Sequence, residues 1–89
     1  MLFELGAISA TPGALELLEA YPGSPGMLLA RHVTGDWGDV DQVDKELNDR
    51  ALKAGGRLLS AYDLDSGERI WIITEADRSA TTFLRPDDY

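Results

Sequence analysis

The sequence predicts an α+β fold, with a small antiparallel sheet of about four strands and two to three helices on one face. Apolar residues between positions 12 and 54 recur every three or four residues, which is typical of helices. From Arg57 onward they alternate, which is typical of strands. A length of 89 residues leaves room for only one hydrophobic core. Residues 1–89 are therefore predicted to form a single acidic domain.

The first elements are a short strand over residues 2–9 and a helix after it. Thr11 is a favourable N-cap, and Pro12 is favourable in a first helical turn because it needs no amide hydrogen there. Leu15 and Leu18, with Leu17 as a further candidate, are predicted to form the apolar stripe of this helix.

A second helix is predicted from about residue 25 to residue 33. Ser24 and Pro25 repeat the start signal of the first helix. This helix would bury Met27 or Leu28 together with Leu29.

The third helix is predicted over residues 41–54. Acidic residues crowd its first turns, which favours the positive end of the helix dipole, and Gly55 follows its last residue. Its predicted buried stripe has helical spacing and consists of Val43, Leu47, Ala51 (or Arg50) and Ala54.

Three strands are predicted to follow as a meander. Alternation covers residues 58–64, and a polar turn leads to a second strand over residues 70–74. A last strand over residues 81–84 would end before Pro86.

Composition excludes several classes of function. The net charge of −8 disfavours direct nucleic-acid binding, which requires clustered Lys and Arg. The absence of cysteine excludes thiolate nucleophiles and Cys-based zinc sites, and a single histidine excludes multi-His sites. We therefore expect no cofactor and no metal site. No apolar run approaches the roughly 20 residues of a membrane span, so we expect a cytoplasmic protein with no membrane partner.

Residues 36–49, the acidic segment, are the first candidate site. A loop leading into a helix presents many carboxylates there, with Lys45 as the only base. Such a surface is able to bind a basic partner, although a solvated, dipole-favoured helix start explains the same pattern. Trp37 is interpreted either as an exposed anchor or as packing between loop and helix. The predicted partner-binding residues are Asp36, Trp37, Asp39, Asp41, Asp44, Glu46 and Asp49.

The turn before the last strand is the alternative candidate site. It combines Glu75, Asp77 and Arg78, which are able to form an acid–base pair or an anion clamp. The competing interpretation is turn capping with an Arg78 ion pair to a neighbouring carboxylate. The full alternative set is His32, Thr74, Glu75, Asp77, Arg78 and Ser79.

Three stretches carry a resemblance to a known family. They are residues 32–39 (HVTGDWGD), residues 59–62 (LSAY) and residues 70–79 (IWIITEADRS). With the closing residues 86–89, they resemble a family of small plasmid-related proteins carried on plasmids, integrative elements and phages. The resemblance implies a mobile-DNA setting and no established activity.

The leading hypothesis is a non-enzymatic interaction protein of a mobile genetic element. It would bind a basic host protein, of the defence or nucleic-acid-processing kind, through the acidic segment. The alternative is a small enzyme or a nucleotide- or metal-binding protein centred on the turn at Glu75, Asp77 and Arg78. A third hypothesis is a homodimer that pairs strand edges or apolar helix faces.

Overall fold

The computed structural model describes residues 1–89 and confirms the α+β fold with its C-terminal three-strand meander. Three helices lie between the first strand and the other three. The elements are β1 (Ala7–Ala10), α1 (Pro12–Ala20), α2 (Pro25–Val33), α3 (Gln42–Ala54), β2 (Leu58–Asp63), β3 (Arg69–Thr74), β4 (Ala80–Leu84) and a closing 3₁₀ turn (Pro86–Asp88).

The sheet has the strand order β1-β4-β3-β2 and is mixed, so the prediction of a wholly antiparallel sheet was wrong for one strand. β2, β3 and β4 pair antiparallel, whereas β1 pairs with β4 in parallel. A parallel pair needs a long connection rather than a tight turn. The three helices and two strands between β1 and β4 provide that connection.

β1 is shorter than the predicted strand over residues 2–9. Gly6 has a φ of +65°, and a Cβ atom there would lie 2.3 Å from the backbone carbon of Ser79. Glycine therefore allows the chain to turn tightly into the sheet at this point. The residues before it follow α2 instead, where the Leu2 amide donates to the Val33 carbonyl at 2.8 Å.

The helix boundaries agree with the start signals in the sequence. Thr11, Ser24 and Asp41 are N-caps, and each side chain accepts a hydrogen bond from the amide three residues ahead. Gly55 ends α3 in the left-handed conformation.

The predicted buried stripe of α3 was wrong. Val43 and Leu47 face solvent, with 64% and 52% of their surface exposed, whereas Ala51 is buried as predicted. The helix is rotated because Asn48, a polar residue, is the side chain that reaches the sheet. In α1, Leu15 is exposed and Leu17 is buried. In α2, Leu28 is buried and Met27, the other residue of that prediction, is exposed.

α1 and α2 cover one face of the sheet, and their apolar residues meet those of β2, β3 and β4. This main core contains Ala14, Leu17, Leu28, Tyr62, Leu64, Ile70, Ile72 and Phe83. A smaller cluster lies under α3 and the loop before it, and contains Trp37, Val40, Ala51, Leu58 and Ala61.

Asn48 covers the outer edge of β2 from α3. Its amide nitrogen donates to the Leu59 carbonyl at 2.7 Å, and its side-chain oxygen accepts from the Leu59 amide at 3.0 Å. One side chain thus replaces a neighbouring strand, which leaves no free donor or acceptor at that position of the edge.

The loop before α3 covers the next positions of the same edge. The Ala61 amide donates to the Trp37 carbonyl at 3.0 Å, and the Asp39 amide donates to the Ala61 carbonyl. The Asp39 carboxylate then accepts from the Asp63 amide at 3.0 Å. Gly38 makes this approach possible, because a Cβ atom there would lie 2.2 Å from the Ala61 oxygen.

Replacing Asn48 with Ala should lower the free energy of unfolding by about 2 to 3 kcal/mol. The change removes two hydrogen bonds and leaves the Leu59 amide and carbonyl unpaired beside the helix. Urea denaturation measures the loss. Gln42→Ala on the exposed side of α3 is the matched control and should change stability by no more than about 0.5 kcal/mol. Equal effects of the two substitutions would show that Asn48 does not hold the edge.

Candidate functional site

The first residue of the acidic segment, Asp36, is engaged within the protein. Its carboxylate forms a two-point ion pair with Arg31, at 2.7 and 3.3 Å, and accepts from the Gly38 amide. The hydrogen bonds from Arg31 hold the pKa of Asp36 below its usual range. Arg31 also lies over the Tyr62 ring, whose hydroxyl donates to the Asp36 carbonyl at 2.6 Å. Asp36 therefore anchors the loop.

Three further carboxylates of the acidic segment also have partners in the fold. Asp39 accepts from β2 and Asp41 caps α3. Asp49 accepts a 3.2 Å hydrogen bond from the indole of Trp37. These side chains stay on the surface, but each already has a structural partner.

Asp44 and Glu46 are the carboxylates of this segment that the fold uses least. Neither takes part in any of the ion pairs of the protein. Gln42 approaches Glu46 at 3.5 Å, the long limit of a hydrogen bond. Their charge is therefore available to a partner.

Trp37 belongs to the predicted partner-binding set, but it is only 5% exposed. Its ring stacks on Phe3, with 6.2 Å between centroids, and meets His32 edge-on at 5.8 Å. It packs between the loop and α3, so it does not serve as an exposed anchor.

Sequence reasoning missed the outward apolar pair, Val43 and Leu47. They lie one helical turn apart on the exposed side of α3, in the same segment as Glu46. The sequence contains a signal for this orientation. A second set of residues on α3 has helical spacing and would face the sheet if the polar Asn48 contacted it: Asp44, Asn48, Ala51 and Leu52.

The residues of the alternative site lie in different environments, some on the surface and some in the core. Glu75, Asp77 and Ser79 are exposed, and Asp77 accepts a 2.9 Å hydrogen bond from the Ser79 amide, which closes the turn. His32 and Thr74, which were predicted to join them, are completely buried. The six residues therefore do not converge on one pocket.

Arg78 forms no ion pair with its neighbouring carboxylates, contrary to the capping interpretation. Its guanidinium donates to the carbonyls of Glu75 and Ala76 in its own turn, and to those of Ala51 and Gly56 at the end of α3. A cation at the carbonyl end of a helix is stabilised by the helix dipole. Arg78 thus joins the turn before β4 to α3.

His32 lies at the centre of a buried hydrogen-bond chain. Its Nδ1 is 2.6 Å from the Ser60 hydroxyl, and its Nε2 is 2.9 Å from the Thr74 hydroxyl. Thr74 is 2.7 Å from Thr81, which donates to the Leu5 carbonyl at 2.7 Å. This series of hydrogen bonds links α2 to three strands and to the segment before β1.

The directions of these hydrogen bonds follow from the last member of the series and from the neutral state of the imidazole. A carbonyl only accepts, so the Thr81 proton points to Leu5, and Thr74 must donate to Thr81. The Thr74 oxygen then accepts from His32 Nε2. Because burial keeps the ring neutral, Nδ1 carries no proton and accepts from Ser60, so His32 is the Nε2–H tautomer.

Burial opposes a charge on this imidazole and lowers the pKa of His32 to about 4 from 6.5. The His32 side chain has 0% exposure and lies in the protein interior. There the Ser60–His32 pair links α2 to β2.

No group of three or more Asp, Glu or His side chains is arranged to hold a metal ion. No helix has the length and apolar character required to cross a membrane.

Comparisons with models of protein families, with curated proteins and with solved structures find no match to this chain. The resemblance to plasmid-related proteins therefore stays a prediction.

The stability of the protein should fall as the pH decreases through the range between the two pKa values of His32. The folded-state pKa of about 4 lies below the unfolded value, so the unfolded chain binds more protons between them. The contribution of His32 is complete above about pH 6.5 and decreases toward pH 4. From about pH 6.5 to pH 5, the free energy of unfolding should decrease by about 2 kcal/mol.

Urea denaturation of the wild type and of His32→Gln over that pH range measures this effect. The variant should be less stable at neutral pH, but its stability should be nearly independent of pH there, because Gln does not titrate. A wild-type curve parallel to that of the variant would contradict the assignment. Carboxylates contribute little in this window, because their usual pKa values are about 4.

Proposed function

We propose that this protein is a non-enzymatic interaction protein that binds a basic protein partner through α3 and the acidic segment. The observation that carries the proposal is the outward position of Val43 and Leu47, which are 64% and 52% exposed. They lie in a stretch with six carboxylates and one base, Lys45. Apolar contact area and an excess of acidic residues therefore occur in the same segment, residues 36–49.

These two kinds of side chain have different roles in association. Burying apolar side chains contributes about 25 cal/mol per Å² of surface removed from water, so Val43 and Leu47 would supply affinity. Surface carboxylates attract a basic partner over several ångströms, which mainly raises the association rate and makes binding sensitive to salt. Asp44 and Glu46 are the best placed for this, because neither is held in an ion pair.

The net charge also favours a basic partner over a second copy of the chain. A symmetric contact through α3 would bring two acidic segments together, and each protomer carries a net charge of −8. Like charges placed opposite one another oppose association. A second copy of the chain is therefore a less favoured partner for this surface than a basic protein.

The biological setting of the proposal comes from the resemblance in the sequence. In a mobile genetic element, the fitting partner is a host defence or nucleic-acid-processing protein with a basic, DNA-binding groove. The protein would then act in the cytoplasm, where such a partner works. Closely spaced carboxylates on the acidic segment are able to imitate the charge of nucleic-acid phosphates toward such a groove.

The proposal is tested with the purified protein as bait in a lysate of its natural host, at low and at high salt. We expect one basic partner, held at low salt and weakened at high salt by charge screening. Val43→Ser/Leu47→Ser should weaken its binding at both salt concentrations. Asp44→Asn/Glu46→Gln should weaken it mainly at low salt, because only the charge contribution is lost.

Two matched controls lie on α1. Leu15→Ser removes an exposed apolar side chain, and Glu16→Gln/Glu19→Gln removes two exposed charges. Neither should change binding of the partner. A partner that is lost equally with the control variants, or that both α3 variants retain in full, would contradict the proposed surface, as would the absence of any partner at low salt.

A further inference from the structure

The face of the sheet opposite α1 and α2 carries a groove of about 420 Å³. The closing 3₁₀ turn packs on β3, and Tyr89 meets Trp71 on this face. The volume lies within the range typical of small-molecule sites. The groove is lined by Arg57, Ile73, Glu75, Thr82, Leu84 and Tyr89.

Strand register places an apolar floor beside a pair of opposite charges. Ile73 pairs with Thr82 across β3 and β4, so both side chains lie on this face. Leu58 pairs with Thr74, which places Arg57 opposite Glu75 one step beyond the ladder. The floor of the groove is therefore aliphatic, and its end carries one cation and one anion.

Arg57 and Glu75 do not neutralise one another. Neither takes part in an ion pair, although they are cross-strand neighbours. Arg57 is turned toward Tyr89 instead: it lies over the Tyr89 ring, 5.0 Å from the centroid, and donates to the Tyr89 hydroxyl. Tyr89 in turn meets Trp71 edge-on at 5.9 Å.

A guanidinium, an aromatic ring and a carboxylate thus line the same groove. Opposite charges on neighbouring strands normally form a pair, with Cβ atoms about 5 Å apart. Here neither charge is in an ion pair, so a third group is able to pair with both. A ligand that carries an anion and a cation close together would satisfy them at the same time.

We propose that this groove binds a small zwitterion with an apolar body, of the class of free apolar α-amino acids. The carboxylate of the ligand pairs with Arg57 and its ammonium group pairs with Glu75. Its apolar side chain lies on Ile73 and Leu84, against the ring of Tyr89. A ligand without net charge is not repelled by a protein of charge −8.

This site is separate from the proposed docking surface on α3. Glu75 belongs to the turn that was predicted as the alternative site, but Asp77 and Arg78 do not line the groove. The proposal involves binding only and no chemical step. Its success or failure is therefore independent of the interaction with a basic partner.

The test is an NMR titration of the full chain with L-phenylalanine, up to about 10 mM, which detects a Kd of about 1 mM. We expect amide shifts confined to the strand residues around Ile73, Thr82 and Leu84. N-acetyl-phenylalanine lacks the cation and phenylalaninamide lacks the anion. Each should bind about tenfold or more weakly than the zwitterion, because one charge-assisted hydrogen bond is lost.

Three variants complete the test. Arg57→Gln and Glu75→Gln should each weaken binding of phenylalanine by about tenfold, whereas Arg50→Gln, an exposed cation on α3 with no ion pair, should not. All three residues are exposed, so the spectra should keep the folded pattern. Absence of shifts at about 10 mM, or shifts that Arg57→Gln and Glu75→Gln leave unchanged, would overturn the proposal.

Discussion

The neutral imidazole of His32 is the constraint on which the fold depends. Through Ser60, Thr74 and Thr81 it links α2 to β2, β3 and β4, and the chain ends at the Leu5 carbonyl. Every polar side-chain atom buried in this protein has a hydrogen-bond partner. In an 89-residue domain with a thin core, such a chain fixes the position of the helix over the sheet, because any displacement leaves a buried polar atom unpaired.

Much of the remaining polar chemistry is also used by the fold. Asn48 and Asp39 cover the edge of β2, and Arg78 joins the last turn to α3. Because these side chains have partners within the fold, the residues that the sequence analysis predicted as a site do not come together as one. Two features have no such structural use. They are the outward apolar pair of α3 and the groove on the open face of the sheet, and both proposals arise from them.

The fold class and the helix boundaries followed from local signals, because N-caps, helix-ending glycines and alternation act over a few residues. The parallel placement of β1 depends on contacts distant in sequence, which no local pattern specifies. The rotation of α3 was missed because a polar residue, Asn48, faces inward while Val43 and Leu47 face outward. His32 and Thr74 were selected as site residues, but their pairing 42 positions apart required the tertiary structure.

The protonation pattern of His32 tests the account most directly. Long-range ¹⁵N–¹H NMR of the imidazole at neutral pH distinguishes the two nitrogens. The hydrogen-bond chain predicts a proton on Nε2, bonded to Thr74, and a lone pair on Nδ1 that accepts from Ser60. A proton on Nδ1 alone, or a charged ring at neutral pH, would contradict the direction of the chain and the structural role given to this histidine.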